Sequence, residues 1–250
     1  MKSLLKKIIP NNSKAFKLLQ KAYHYRSWHP KAWKFDVVKA YAEHKKNVNF
    51  IQIGSNNGID NDPIHKHIIN YKWSGLLVEP VPHLFDDLKK NYENIKERFA
   101  FENSAIAAQK GKLKFYRLKK SDLKGLPIWY EQIGSFNKAV IETHKSRIPH
   151  FDELLIEDTV NAITFKDLIQ KHNIQKADFI HIDTEGHDYE VLKLIPFSDL
   201  KVELLMFEHV HLSDSDFKAA IELLKNNNFT LGAIDEDVVA INTGVLDSIS

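Results

Sequence analysis

Residues 229–242 read FTLGAIDEDVVAIN. Two apolar runs, 229–234 and 238–242, flank the acidic triplet Asp235-Glu236-Asp237, which predicts two strands joined in a tight hairpin. Working back from the hairpin, the chain alternates between strand and helix patterns as far as Val48. Strands are expected at 48–53, 76–78, 99–107, 179–183 and 202–207, and helices at 63–71, 82–95, 164–171, 189–195 and 215–226. Pro63 and Pro82 suit the first helical turn, where a missing N–H costs nothing. Thr164 and Ser213 suit N-caps. Such βαβα alternation argues for a parallel sheet covered on both faces. A parallel sheet finished by an antiparallel hairpin is distinct from the all-parallel sheet of dinucleotide-binding domains. The expected fold is therefore an α/β three-layer sandwich, mostly parallel, with an antiparallel C-terminal hairpin.

Composition bounds the function classes. The chain has 250 residues, 43% hydrophobic and 27% charged, which excludes disordered, collagen-like and coiled-coil chains. No apolar run is long enough to span a bilayer. There is no cysteine, so disulfides, thiolate metal sites and cysteine nucleophiles are excluded. That absence fits a reducing cytoplasm, and the N-terminus lacks the long apolar region of a secretory signal. The net charge of +2 conceals an asymmetry. Residues 1–47 carry twelve Lys/Arg and two acids, a balance of +10, and the rest of the chain carries 23 basic and 31 acidic groups, a balance of −8. Residues 1–47 read as a basic helical extension, with a helix at 14–25. Tyr23, Tyr25, Trp28 and Trp33 are interleaved with the basic residues, which fits either peripheral membrane contact or ordinary packing. A domain follows at 48–250, interrupted by an irregular insert at about 119–160. Inserts of that length commonly carry function.

Four stretches bear chemistry. The first strand ends in Gln52-Ile53-Gly54-Ser55-Asn56-Asn57-Gly58. Glycines leaving a parallel strand let backbone approach a ligand closely. The spacing is GxxxG rather than GxGxxG, which argues against a diphosphate. Glu79 ends the second strand, where a carboxylate can accept hydrogen bonds from both ribose hydroxyls. Asn103 and Ser104, at the third strand, are candidates to contact an adenine. The fourth strand delivers Asp183 and Glu185 to the carboxyl edge of the sheet, and Asp188 suits the next helix N-terminus. Last, Glu208-His209-Val210-His211 places two imidazoles two residues apart, facing the same way if the chain is extended. With Asp183 they could hold a divalent metal, although none is required. Alternatively, one histidine serves as a base, since imidazole titrates near pH 6.5.

FIQIGSNNG, LLVEP and AITFKDLI…ADFIHIDTEGHDYEVLKLI together resemble the FkbM-type methyltransferases over residues 48–212. The resemblance implies a class I methyltransferase fold, Rossmann-like, with a seven-stranded sheet of order 3-2-1-4-5-7-6. It also implies S-adenosyl-L-methionine as cofactor and methylation of a hydroxyl on a sugar, glycan or related natural product. Position by position, it puts Gly54, Ser55, Asn56 and Gly58 around the methionine part of the cofactor and Glu79 on the ribose. Asp183 and Glu185 would flank the reaction crevice. Gln52 stands where many methyltransferases have an acid for the cofactor amino group, and His181 where relatives often have Lys.

The expected function is thus an S-adenosylmethionine-dependent O-methyltransferase, cytoplasmic, with a small-molecule or glycan acceptor. His209 or Asp183 would take the acceptor proton, with Glu185, His211 and Glu208 nearby, and Trp129 and Tyr130 could stack on a sugar ring. The alternatives are an NAD-dependent oxidoreductase and a non-catalytic adenosyl-binding module. Nucleic acid is not an expected partner, because an acidic body repels phosphates.

Overall fold

The computed structural model describes residues 29–249. Two sheets organise the chain. The main sheet contains β1 (Asn49–Ile53), β2 (Ser74–Val78), β3 (Phe99–Glu102), β8 (Phe179–Ile182), β9 (Leu204–Glu208), β10 (Phe229–Ile234) and β11 (Asp237–Asn242). The order across it is β3-β2-β1-β8-β9-β11-β10. Counted along this sheet alone, that is 3-2-1-4-5-7-6. The pairs among β1, β2, β3, β8 and β9 are parallel, whereas β11 is antiparallel to both β9 and β10. The hairpin thus closes one edge of the sheet, as its alternation and acidic turn require.

Helices α2 (His65–Asn70), α3 (Pro82–Asn91), α6 (Phe165–Lys171), α7 (Asp188–Leu192) and α9 (Asp214–Asn226) connect the strands. Pro82 occupies the first turn of α3. The Thr164 hydroxyl accepts from Asp167 N–H and the Ser213 hydroxyl from Asp216 N–H, so both are N-caps. Each cap satisfies a backbone donor that the helix leaves open and contributes about 1 kcal/mol.

The compact unit that carries the sheet begins at Ala32, not at Val48. Helix α1 (Val37–His44), capped by Asp36, buries Val37, Val38, Tyr41 and Ala42. They join Phe50, Trp73, Phe179, Leu204, Val239 and Ile241 in one core cluster. Burial of each large side chain is worth about 1.5–3 kcal/mol, enough to tie α1 to the sheet despite the basic charge around it. Trp33 belongs to the packing as well: its indole N–H donates to the Val239 carbonyl at 3.0 Å. The helix expected at 14–25, with Tyr23, Tyr25 and Trp28, lies outside the described residues. Among the described residues, no helix is long and apolar enough to cross a membrane.

The strand expected at 99–107 is interrupted at Asn103-Ser104. Its second part is β4 (Ala105–Ile106), which crosses into a separate four-stranded sheet. That sheet also holds β5 (Gly111–Leu118), β6 (Gly134–Ser135) and β7 (Leu155–Ile163), in the order β4-β7-β5-β6. The insert is therefore built on an antiparallel β5–β7 ladder that starts before Lys119 and ends after Val160. Alternation in both strands is blurred by lysines and acids on their exposed face, which hid them. Between them lie the short helices α4 (Lys138–Glu142) and α5 (Phe151–Leu154), over a small core of Leu118, Tyr130, Ile133, Ile141, Ile148, Phe151 and Leu154. One further short helix, α8 (Phe197–Leu200), precedes β9, and α10 (Thr243–Ile249) follows β11.

Candidate active site

A cleft opens at the carboxyl ends of β1, β2 and β8. Open α/β sheets place small-molecule sites at this edge. Gly54, Asn56, Glu79, Ser104, Asp183 and Glu185 line one side. Phe115, Gly134 and Phe136 of the insert line the other, with the two aromatic rings edge to face at 5.3 Å.

The β1 turn is held by its own backbone. Gly54 has φ +82°, and a Cβ there would lie 1.7 Å from the Asp183 carbonyl oxygen. Gly58 has φ +76°, and its Cβ direction is filled by Tyr92 and Leu88. Both glycines thus permit close packing of protein on protein, where sequence reasoning assigned the space to a ligand. The Ser55 hydroxyl donates to the Gln52 carbonyl and accepts from Val78 N–H, each at 3.1 Å, which ties the β1 exit to β2. Gln52 is buried below the cleft floor, with its amide 3.2 Å from His181 Nδ1. Of the glycine-turn residues beyond Gly54, Asn56 is the one that reaches the cleft wall.

Glu79 is 3% exposed. Its two oxygens accept from Val81 N–H at 2.8 Å and Asn56 N–H at 2.9 Å. Burial pushes its carboxyl up to about 7, against the opposing pull of these two N–H groups. Each oxygen retains lone-pair capacity toward the cleft. Asn103 does not turn that way: its amide donates to the carbonyls of Glu79 and Pro80 and braces the loop after β2. Ser104 lines the cleft, but its hydroxyl donates to Glu102 at 2.7 Å.

Carboxylates crowd the β8 end. Asp188 accepts from Thr184 N–H and Gly186 N–H and is fully buried at the start of α7. Burial, and then the charges of Glu185, Asp188 and Asp237, hold the Asp183 carboxyl well above the usual range. Glu208 is raised by burial and by Asp183 and Glu185, and burial raises Asp188 and Asp237 to about 7. Like charges this close cannot all ionise together, so the cluster takes up protons or is matched by positive charge.

The two histidines after β9 part company. The backbone turns at Val210-His211 instead of continuing as a strand, so the expected same-side alternation fails. His209 is buried against Phe217, ring centroids 4.6 Å apart, and its Nδ1 contacts the Glu236 carbonyl in the hairpin turn. It is not among the residues that line the cleft. His211 faces the site instead, with Nε2 3.1 Å from Glu185 Oε2 and 4.0 Å from Glu208 Oε1. His144, in the insert, has its Nε2 3.9 Å from the same Glu185 oxygen.

Trp129 and Tyr130 are not on the cleft wall. Trp129 packs on His144 and under Arg147, and Tyr130 is in the insert core. Phe115, Phe136, His144 and His187 were missed as site residues. Phe115, Phe136 and His144 stand in no motif, and only the folding of the insert brings them to the sheet edge; His187 lies within the quoted IDTEGHDYEVL stretch, beside the acids that drew the reading.

The sequence profile described as the Methyltransferase FkbM domain matches residues 52–231. The chain belongs to the FkbM methyltransferase family. The FkbM methyltransferase from Methylobacillus flagellatus KT has a similar fold, with a TM-score of 0.50 and 13% identity over 78% of this chain and 44% of that one. This FkbM-family chain thus spans less than half the length of that relative. Weaker likenesses extend to precorrin-6y C5,15-methyltransferase from Geobacter metallireducens GS-15 (TM-score 0.41, 9% identity, 84% and 93% of the two chains). Another is the N-terminal domain of human METTL16 in complex with SAH (TM-score 0.42, 13% identity, 82% and 66%). No curated protein sequence matches this FkbM-family chain.

Proposed function

We propose that this chain is an S-adenosylmethionine-dependent O-methyltransferase that acts on a hydroxyl of a sugar, glycan or related natural product. The observation that carries the reading is Glu79, a buried carboxylate at the end of β2 on the wall of the cleft. Burying a carboxylate costs several kcal/mol. Its two backbone N–H partners do not bring its carboxyl back to the usual range, and a ribose diol would supply two more donors. The residues present therefore fit the adenosyl group: Glu79 would hold the ribose, with Asn56 and Gly54 beside it.

When bound, S-adenosylmethionine supplies a methyl group on a positive sulfur, which passes to the acceptor oxygen while the broken C–S pair stays on sulfur. The chain's own residues have three tasks. The β1 turn and Glu79 hold the adenosyl end, and Phe115 and Phe136 offer apolar faces to the acceptor and exclude water. Asp183, Glu185 and His211 are the acid–base groups at the β8 end, where the acceptor hydroxyl has to lose its proton. Alignment of this kind lowers barriers by as much as about 7–11 kcal/mol. Gln52 is not on the cleft wall, so its identity is a poor reason to favour a non-catalytic module.

The test is calorimetric titration with S-adenosylhomocysteine of the wild type and Glu79→Ala. The expected result is binding that the substitution weakens tenfold or more, about 1.4 kcal/mol. A folded wild-type protein that does not bind would overturn the reading. With binding in hand, methyl release onto a panel of glycosides and other hydroxylated natural products tests the acceptor class.

A further inference from the structure

We propose that His144, Glu185 and His211 form a binding site for one divalent transition-metal ion at the junction of the insert and the main sheet. The three come from separate segments: the turn after α4, the loop after β8 and the turn after β9. One ligand atom from each lies within 4.8 Å of the other two. The imidazole rings of His144 and His211 are 5.4 Å apart between centroids, and their Nε2 atoms approach the same Glu185 oxygen at 3.9 and 3.1 Å. A zinc ion with ligands at about 2.0–2.1 Å separates its tetrahedral donors by about 3.3 Å. Small side-chain rotations of half-buried residues bring this triad to that spacing.

The donor set selects the class of ion. Two neutral imidazoles and one carboxylate suit zinc and its first-row neighbours, whereas magnesium and calcium prefer oxygen throughout. The surroundings favour a cation. Glu208 Oε1 lies 4.0 Å from His211 Nε2, and Asp183 is two residues from Glu185 on the cleft wall. The side chains of His144 and His211 are each 13% exposed and that of Glu185 is 21% exposed. The site is thus shielded but reachable, and a fourth ligand position can face the cleft. There the ion would hold an oxygen of the acceptor. That consequence rests on the methyl-transfer reading, whereas metal binding itself does not.

The experiment is calorimetric titration of the untagged, chelator-treated chain with Zn²⁺, Mn²⁺ and Mg²⁺. The expected result is one Zn²⁺ per chain with Kd at or below micromolar, weaker Mn²⁺ and no detectable Mg²⁺. His144→Ala and His211→Ala each weaken zinc at least tenfold, and His150→Ala, which removes the exposed His150–Glu153 pair, leaves it unchanged. His211→Gln replaces any alanine variant that fails to melt cooperatively, and Co²⁺ absorption in the visible reports the imidazole ligands directly. A wild type that binds no zinc, or site variants that bind it as tightly as His150→Ala, would overturn the proposal. S-adenosylhomocysteine binding measured on the same samples separates the two failures. Loss of zinc with that ligand still bound rejects only the metal site, and the reverse rejects only the methyl-transfer reading.

Discussion

The Cβ that Gly54 lacks would lie 1.7 Å from the carbonyl oxygen of Asp183. The glycine at the β1 exit is what allows β8 to bring Asp183 to the cleft, and its φ of +82° is one that side chains disfavour. Strain and overpacking act together at this position, so Gly54→Ala is expected to cost about 3 kcal/mol or more. Urea unfolding checks this, and a variant as stable as wild type would show that the strands have room to separate.

Glu79 sets a pH dependence. Its folded-state carboxyl is raised from 4.5 to about 7 by burial. The folded protein therefore holds a proton that the unfolded chain has released, and this group's contribution to stability falls as pH rises from about 4.5 to 7. Glu79→Gln removes that slope. Wild type should lose up to about 3 kcal/mol relative to the variant between pH 4.5 and pH 8. Denaturant midpoints at the two pH values decide it, and parallel losses in both proteins would rule out the buried carboxyl as the cause.

His181 works in the opposite direction. It is 1% exposed in the middle of β8, and burial lowers its imidazole to about 4. Its neutral form, accepting from the Gln52 amide, is the folded one. The stability it contributes is fully present above about 6.5 and is lost as pH falls toward 4, by up to about 3 kcal/mol. His181→Asn should blunt the acid loss between pH 7 and pH 4.5, as read by thermal melts. An unchanged acid profile would assign that loss to other groups.

Ser135 joins the insert to the site. It is 1% exposed, and its hydroxyl donates to the Glu185 carbonyl at 2.7 Å while accepting from Asn137 N–H. Ser135→Ala removes the hydroxyl that joins the Glu185 carbonyl to Asn137 N–H, a cost of about 1 kcal/mol. The loss should concentrate at the loop after β8, as faster hydrogen exchange at Gly186. Faster exchange spread evenly over the sheet would contradict a local role.

The basic residues 1–26 carry seven Lys/Arg and no acids. We propose that they bind anionic lipid at about 1 kcal/mol per basic residue near the surface, with the binding falling as salt rises. Sedimentation with phosphatidylserine liposomes at low salt should lose the protein when 1–26 are deleted. Unchanged sedimentation would dispose of the idea.

Much of the fold was legible because strand and helix periodicities are local. The hairpin at 229–242, the capping Thr164 and Ser213, and the βα alternation from Val48 all recur in the structure at nearly the same bounds. Misreadings arose where long-range contacts decide. The β5–β7 ladder escaped notice because its strands are charged on one face, and α1 was grouped with the basic extension although its apolar face belongs to the core. At the site, Glu79 and Asp183 were legible from their place at strand ends. The packing of His209 on Phe217 and its contact with the hairpin were not, since the turn at Val210 and the neighbours it meets are set by the tertiary fold.

By itself, the sequence determined the βα alternation, the antiparallel C-terminal hairpin and the edge of the sheet where chemistry belongs, and its resemblance to the FkbM-type methyltransferases implied the strand order. The alternation and the strand ends follow from residue spacing along the backbone, and spacing is a property of the chain. Tertiary structure alone decided that His144 meets His211 across Glu185, that Phe115 and Phe136 line the cleft, and that the Cβ Gly54 lacks makes room for the Asp183 carbonyl. Those relationships join residues far apart in the chain, and no local preference encodes them. They arise when burial of the core brings the insert and the sheet edge together.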